Sequence, residues 1–125
     1  MHLVQELKLP ILVFLGGGLG AVARWGIARW ASQFPAAQAF PWHTFAINVL
    51  GSFILGILTG LCHNRPGWLA FLGVGVCGGF TTFSTFSVET IRLIDDHRAT
   101  LAALYVAGSV IAACLGAWLG LKFAK

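Results

Sequence analysis

Charge is scarce in this chain. Of 125 residues, four are Asp or Glu and eight are Lys or Arg, together 10%, against 58% hydrophobic side chains and a mean hydropathy of +0.83. A soluble domain of this size could not hide so much apolar surface, so the composition places the chain in a bilayer. The basic residues are scattered and form no patch interleaved with aromatics on a polar face, which argues against nucleic acid as a partner. Cysteine is equally thin. Cys62, Cys77 and Cys114 are odd in number, each lies within or at the end of an apolar segment, and neither CxxC nor Cys/His ligand spacing occurs. They read as small core residues rather than as a redox pair or a zinc site. There is no nucleotide-binding motif and no catalytic constellation, so the chain is not expected to be an enzyme.

What the chain does have is long apolar runs. A hydrocarbon core about 30 Å thick needs about 20 helical residues. Four runs supply them: Leu9 to Trp30, Thr44 to Cys62, Trp68 to Val88 and Ala99 to Leu121. The connectors carry turn residues, among them Pro35, Pro41, Pro66-Gly67 and Asp95-Asp96. Trp25, Trp30, Trp42, Trp68 and Trp118 fall near segment ends, where an amphipathic ring prefers the headgroup level. The pattern predicts an all-α, multi-pass membrane protein, one four-helix transmembrane domain over residues 1–125 with membrane lipid around it. A cleaved leader is the other reading of the first run, since Lys8 precedes it and Ala21-Val22-Ala23 resembles a cleavage site. Glu6 and the length of the run beyond that site favour a retained helix.

Four spans put both chain ends on one side of the membrane. Lys8, Arg65, Lys122 and Lys125 fall on that side and Arg24, Arg29, Arg92 and Arg98 on the other, so the eight basic residues divide equally. Orientation follows Lys/Arg asymmetry, and a balanced chain has no electrostatic reason to insert one way only. Dual insertion followed by an antiparallel homodimer is the expectation. A single topology fixed by a partner or by local loop effects is the alternative.

The polar residues inside these runs gather on particular faces. Thr44, Asn48 and Ser52 recur every fourth residue, followed by Gly56 and Gly60, and the fourth run repeats the theme with Tyr105, Ser109, Gly116 and Gly120. A carboxamide such as Asn48 is costly in hydrocarbon, and its two N–H donors can replace water around an anion or bond a neighbouring helix. Densest of all is Phe80-Thr81-Thr82-Phe83-Ser84-Thr85-Phe86-Ser87, where hydroxyls and rings interrupt an apolar run. Phe80, Phe83 and Phe86 recur every third residue, as on one stripe of a helix. Gly78-Gly79 and the β-branched Thr81-Thr82 weaken a helix there, so the third span is expected to break mid-membrane. A break frees carbonyls for a cation and amides and hydroxyls for an anion, and a phenyl ring presents a positive edge to a small anion. Gly16 and Gly20 give small-xxx-small spacing for close helix approach. Arg24 must snorkel, pair or attract anions, and Glu89 is a helix-end partner for a nearby Arg or a proton-relay group. None of the four histidines falls inside a span.

The sequence resembles the Fluc (CrcB-like) fluoride channels of microbes, along essentially its whole length. The matching stretches are Gly16-Gly17-Gly18-Leu19-Gly20-Ala21-Val22-Ala23-Arg24, Asn48-Val49-Leu50-Gly51-Ser52-Phe53 and Gly78-Gly79-Phe80-Thr81-Thr82-Phe83-Ser84-Thr85-Phe86-Ser87. The resemblance implies a fluoride-selective channel in the inner (plasma) membrane that confers fluoride resistance, built as an antiparallel, dual-topology homodimer with a structural sodium ion at the dimer centre. By the same resemblance Asn48 is the pore amide, Phe83 and Phe86 are the rings facing fluoride, and Thr81, Ser84 and Thr85 form a polar track beside them. Tyr105 and Ser109 take pore-side positions, Thr44 and Glu89 lie nearer the pore ends, and Arg24 is a vestibule or structural residue. The carbonyls of Gly78 and Thr81 would hold the sodium. Where many relatives carry a further hydroxyl one turn past Ser109, this chain has Ala113. Two competing classes are a proton-coupled dual-topology exporter using Glu89, whose usual carboxylate deep in the first span is missing here, and a non-transport assembly subunit.

Overall fold

The structure, a computed structural model, describes residues 1–125. Helices α1 (His2–Ala31), α2 (Pro35–Ala39) and α3 (Trp42–Leu61) are followed by a short turn of helix, α4 (Pro66–Trp68). That turn runs into a π-helical stretch (Leu69–Cys77) and then α5 (Gly78–Phe80), and after a gap come α6 (Ser84–Asp95) and α7 (Ala99–Phe123). Four stretches are long and apolar enough to cross a membrane, His2–Ala31, Trp42–Leu61, Pro66–Asp95 and Ala99–Phe123, and the third is bent. The protein is thus all-α with four spans. Each helix outruns its apolar core. α1 starts at His2, where His2 and Glu6 pair at 3.2 Å one turn apart, and α3 starts at Trp42, so His43 lies in the first turn of a span and not outside it.

Two helix pairs form by close backbone contact. Lipid supplies no hydrophobic drive between helices, so small residues that let backbones approach become the means of association. A Cβ at Gly16 would run into Phe71 O and one at Gly20 into Val76 O, which fixes α1 against the π stretch. On the other side, a Cβ at Gly120 would meet Phe53 O and one at Gly56 would meet Ala117 O, which fixes α3 against α7.

The third span links the pairs because it is broken. Its first half packs on α1 and its second half, α6, packs on α7. The break falls at the Thr81-Thr82 end of the weakened stretch and not at its glycines. Gly78 is helical at φ −62°, ψ −40° and exposed, and Gly79 backs onto Gly17 O, so Gly79 serves close approach to α1. The chain leaves the helix at Thr81, extended at φ −84°, ψ 158°, and resumes at Ser84. Phe80, Phe83 and Phe86 therefore share no helical stripe: the first ends one half, the second sits in the gap and the third rides on the other half. The sequence also gave no sign of the wide π turn, in which Gly78 N–H reaches back five residues to Gly73 O.

Only 18 of 125 residues are buried, so most of the large apolar side chains face outward, as lipid or a second subunit requires. A compact cluster of Leu93, Ala102 and Tyr105, ringed by Phe40, Phe45, Phe86 and Leu101, locks α6 to α7. Arg98 ties the loop ahead of α7 to Ala39 O at the end of α2. Of the three cysteines, Cys77 is buried and Cys62 half-buried, but Cys114 faces outward from α7 and is no core residue.

Candidate functional site

At the break, backbone polar groups that a helix would satisfy must find other partners, and one side chain supplies them. Asn48 Nδ2 donates to Thr82 O at 3.0 Å, while Thr82 N–H donates to Asn48 Oδ1 at 2.8 Å. In a continuous helix Thr82 N–H would bond Gly78 O, four residues back. Diverting it to Asn48 takes that donor away from the Gly78 carbonyl. One of the two Asn48 N–H groups is spent on the chain, and the other is left over.

The two helix ends are finished locally. Thr81 closes the first half by sending both its N–H (3.0 Å) and its hydroxyl (2.9 Å) to Cys77 O. Thr82 opens the second half: its Oγ1 accepts Thr85 N–H at 3.2 Å and lies 3.4 Å from Ser84 Oγ, a cap of the kind that a hydroxyl three residues upstream provides. Arg24 Nε donates to Gly79 O at 3.1 Å, placing a cation at the carbonyl end of the first half-helix. The guanidinium is thus bound to the fold rather than drawn out to headgroups.

Beside the break lies a groove of about 440 Å³, open along one side. Asn48 and Ser52 line it from α3, Ser109 and Ala113 from α7, and Thr81, Thr82, Phe83 and Phe86 from the third span, with Gly78 and Cys77 at its edge. Phe83 is 78% exposed in a gap of the backbone, with Phe86 beside it at 5.7 Å between ring centroids. Ser109 is only 7% exposed, and its Oγ has no hydrogen-bond partner.

Next to the groove sits a second polar group. Thr44 and Tyr105, each 1% exposed, converge on one carboxylate: Thr44 Oγ1 donates to Glu89 Oε2 at 3.1 Å, and Tyr105 OH lies 3.5 Å from Glu89 Oε1. The Phe86 and Tyr105 rings, 5.0 Å apart, join this group to the groove. Glu89 forms no ion pair with an arginine. Its partners are hydroxyls, because α6 turns it inward onto α3 and α7.

The structure thus gathers Asn48, Phe83, Phe86, Ser109, Gly78 and Thr81 around one groove, and Thr44, Tyr105 and Glu89 into the adjoining cluster. Ser84 and Thr85 lie outside the groove's lining. The Thr81 hydroxyl is occupied by Cys77 O, and Thr85 turns its N–H to Thr82. Thr82 and Ser52 carry more of the site than the sequence suggested. The signal for Thr82 was its spacing of three from Thr85, which is that of a helix cap.

A family model described as CrcB-like protein, Camphor Resistance (CrcB), matches residues 11–121. The chain is similar to the fluoride-specific ion channel FluC of Novosphingobium aromaticivorans, 49% identical over 117 residues that cover 90% of this chain and 93% of that protein. It is 47% identical over 119 residues to the fluoride-specific ion channel FluC 2 of Bacillus subtilis, covering 91% and 86% of the two chains. With the FluC of Erythrobacter litoralis the identity is 39% over 133 residues, covering 100% and 98%.

Proposed function

The chain belongs to the CrcB-like family of fluoride channels, and from that premise we propose how its groove conducts. The protein is a fluoride-selective channel, not an enzyme, and it exports cytoplasmic fluoride passively and confers fluoride resistance. The observation that carries the pathway is the groove itself, where an unbonded buried hydroxyl, a spare amide N–H and two phenyl rings meet at a helix break.

Fluoride enters a cell from acidic surroundings as its neutral conjugate acid, which crosses lipid unaided and dissociates in the more alkaline cytoplasm. An inside-negative potential drives the trapped anion outward by about 2.3 kcal/mol per 100 mV, so a passive path is sufficient. Its cost is dehydration. The spare N–H of Asn48, the Ser109 hydroxyl and the ring edges of Phe83 and Phe86 together replace the lost water at close quarters, and the narrowness of such a row excludes larger halides. Thr44 and Tyr105 continue the path toward one end, with Glu89 orienting their hydroxyls, and Ser84 and Thr85 flank its mouth. Arg24 holds the first half-helix in place.

The groove is open along one side at membrane depth, where polar lining must face protein or water. A second copy inserted in the opposite sense closes it, in keeping with the even split of basic residues. The exposed Gly78, whose carbonyl has lost its helical donor, and the extended Thr81 peptide offer hard oxygen ligands suited to sodium. The Gly78 and Thr81 carbonyls would hold that ion at the dimer centre, where its charge would cross-link the broken helices. On this reading the channel works in the inner (plasma) membrane, across which that potential stands.

Liposomes loaded with fluoride test this reading. Efflux that needs only a potassium shunt, with no pH gradient, supports the channel. Efflux that stops without a proton gradient would favour a Glu89 exporter, and no efflux would leave an assembly subunit.

A further inference from the structure

Resting on the channel reading, the geometry points to Ser52 as a further fluoride-binding residue, the donor that the anion meets after Asn48 and Ser109. α3 presents Asn48, Gly51, Ser52 and Leu55 to the groove, the spacing of a single helical face. Ser52 therefore stands one turn beyond Asn48 on the same wall.

Its hydroxyl is unusually free. A serine or threonine inside a helix commonly returns its proton to the carbonyl four residues back. Thr59 does so to Leu55 O at 2.7 Å, Ser87 to Phe83 O at 2.9 Å and Thr90 to Phe86 O at 2.8 Å. Ser52 lines the groove without such a bond, and Ser109 on the facing helix does the same while 7% exposed. Two unspent hydroxyl protons therefore lie in one groove, on the adjoining helices α3 and α7, beside the spare N–H of Asn48. Of the two, the Ser109 hydroxyl is buried, and a buried hydroxyl with no partner is costly unless a ligand or water completes it; Ser52 is half-buried beside it.

The far end of the groove shows why Ser52 matters in this chain. On the α7 wall the residue one turn past Ser109 is Ala113, which lines the groove and has nothing to donate. Donors on that wall stop at Ser109. On the α3 wall they continue to Ser52, before Leu55 ends the polar lining. Ser52 thus supplies from α3 the hydroxyl that α7 does not.

Fluoride efflux from liposomes should be measured for the parent protein, Ser52→Ala, Ala113→Ser and the double variant, with thermal unfolding in detergent alongside. A hydrogen bond to an anion is strong enough that its loss weakens binding about tenfold. Ser52→Ala is expected to conduct about tenfold less and to need a higher fluoride concentration for half-maximal flux, with an unchanged unfolding temperature. Adding Ala113→Ser restores flux to within about threefold of the parent, since a hydroxyl returns to the groove from the adjoining helix. A purely packing role for Ser52 would not respond to a hydroxyl on another helix. Parent-like flux in Ser52→Ala, or a loss that Ala113→Ser does not repair, overturns the assignment while the parent still conducts. A silent parent would instead overturn the channel reading, and this assignment with it.

Discussion

Replacing Asn48 by alanine removes two hydrogen bonds at once and leaves both the N–H and the carbonyl of Thr82 without partners at membrane depth. A buried backbone group left unsatisfied costs about 1–3 kcal/mol, so the pair could cost about 2–6 kcal/mol. Because the groove is open along one side, water reaches part of this loss, and the expected figure is at the low end, about 2 kcal/mol. At about 1.4 kcal/mol per decade, amide exchange at residue 82 should quicken by roughly thirtyfold in Asn48→Ala. Fluoride flux should fall more than about tenfold, since the spare N–H is lost with the rest of the amide. Asn48→Asp separates the two roles. In either protonation state a carboxyl group still accepts Thr82 N–H, so exchange there stays slow, but no N–H remains for the anion and flux is lost. If Asn48→Ala exchanges at residue 82 like the parent, Asn48 is not what holds the break; if it also conducts like the parent, the pore assignment fails as well.

Three further outcomes follow from the packing and the caps. Gly120→Leu would push a branched side chain into Phe53 O and separate α3 from α7, costing at least about 1–3 kcal/mol, whereas Gly18→Ala, in open space, should be neutral; unfolding temperatures in detergent decide this. Arg24→Leu removes a charge-assisted bond to Gly79 O worth about 1.5–3 kcal/mol, and the first half-helix should fray, seen as faster exchange at residues 78–80. Thr82→Val deletes the hydroxyl that caps Thr85 N–H and should cost about 1 kcal/mol, recovered by Thr82→Ser; equal stability of the Val and Ser variants would show that the cap is not formed.

The four spans are legible because bilayer thickness translates directly into run length, and Gly16, Gly20, Gly56 and Gly120 mark faces where backbones come close, but which helix meets which comes from the structure. The existence of the break is legible too, from hydroxyls and β-branched residues in an apolar run. Of the weakened stretch, the Thr81-Thr82 end breaks and the glycine end does not. Glycine lowers helix propensity, but Gly79 stays helical with no room for a Cβ against Gly17 O, a tertiary demand no local pattern contains. For the same reason the stripe of Phe80, Phe83 and Phe86 dissolved, since a period of three has helical meaning only where the helix continues. The sequence suggests for Glu89 a nearby arginine partner or a proton-relay role, while the groups bonded to it, Thr44 and Tyr105, come from two other helices. The pair of hydrogen bonds between Asn48 and Thr82 also joins residues 34 positions apart, and spacing alone could show Asn48 only as a costly amide in search of a partner.

The most direct measurement is the reversal potential of the reconstituted protein in a planar bilayer under a tenfold fluoride gradient, with pH equal and then unequal across the membrane. A passive fluoride path at the broken third span should reverse at about 59 mV, with the sign of the fluoride gradient, and should not shift when the pH gradient is imposed. A reversal potential that follows the proton gradient, or one set by chloride, would contradict it.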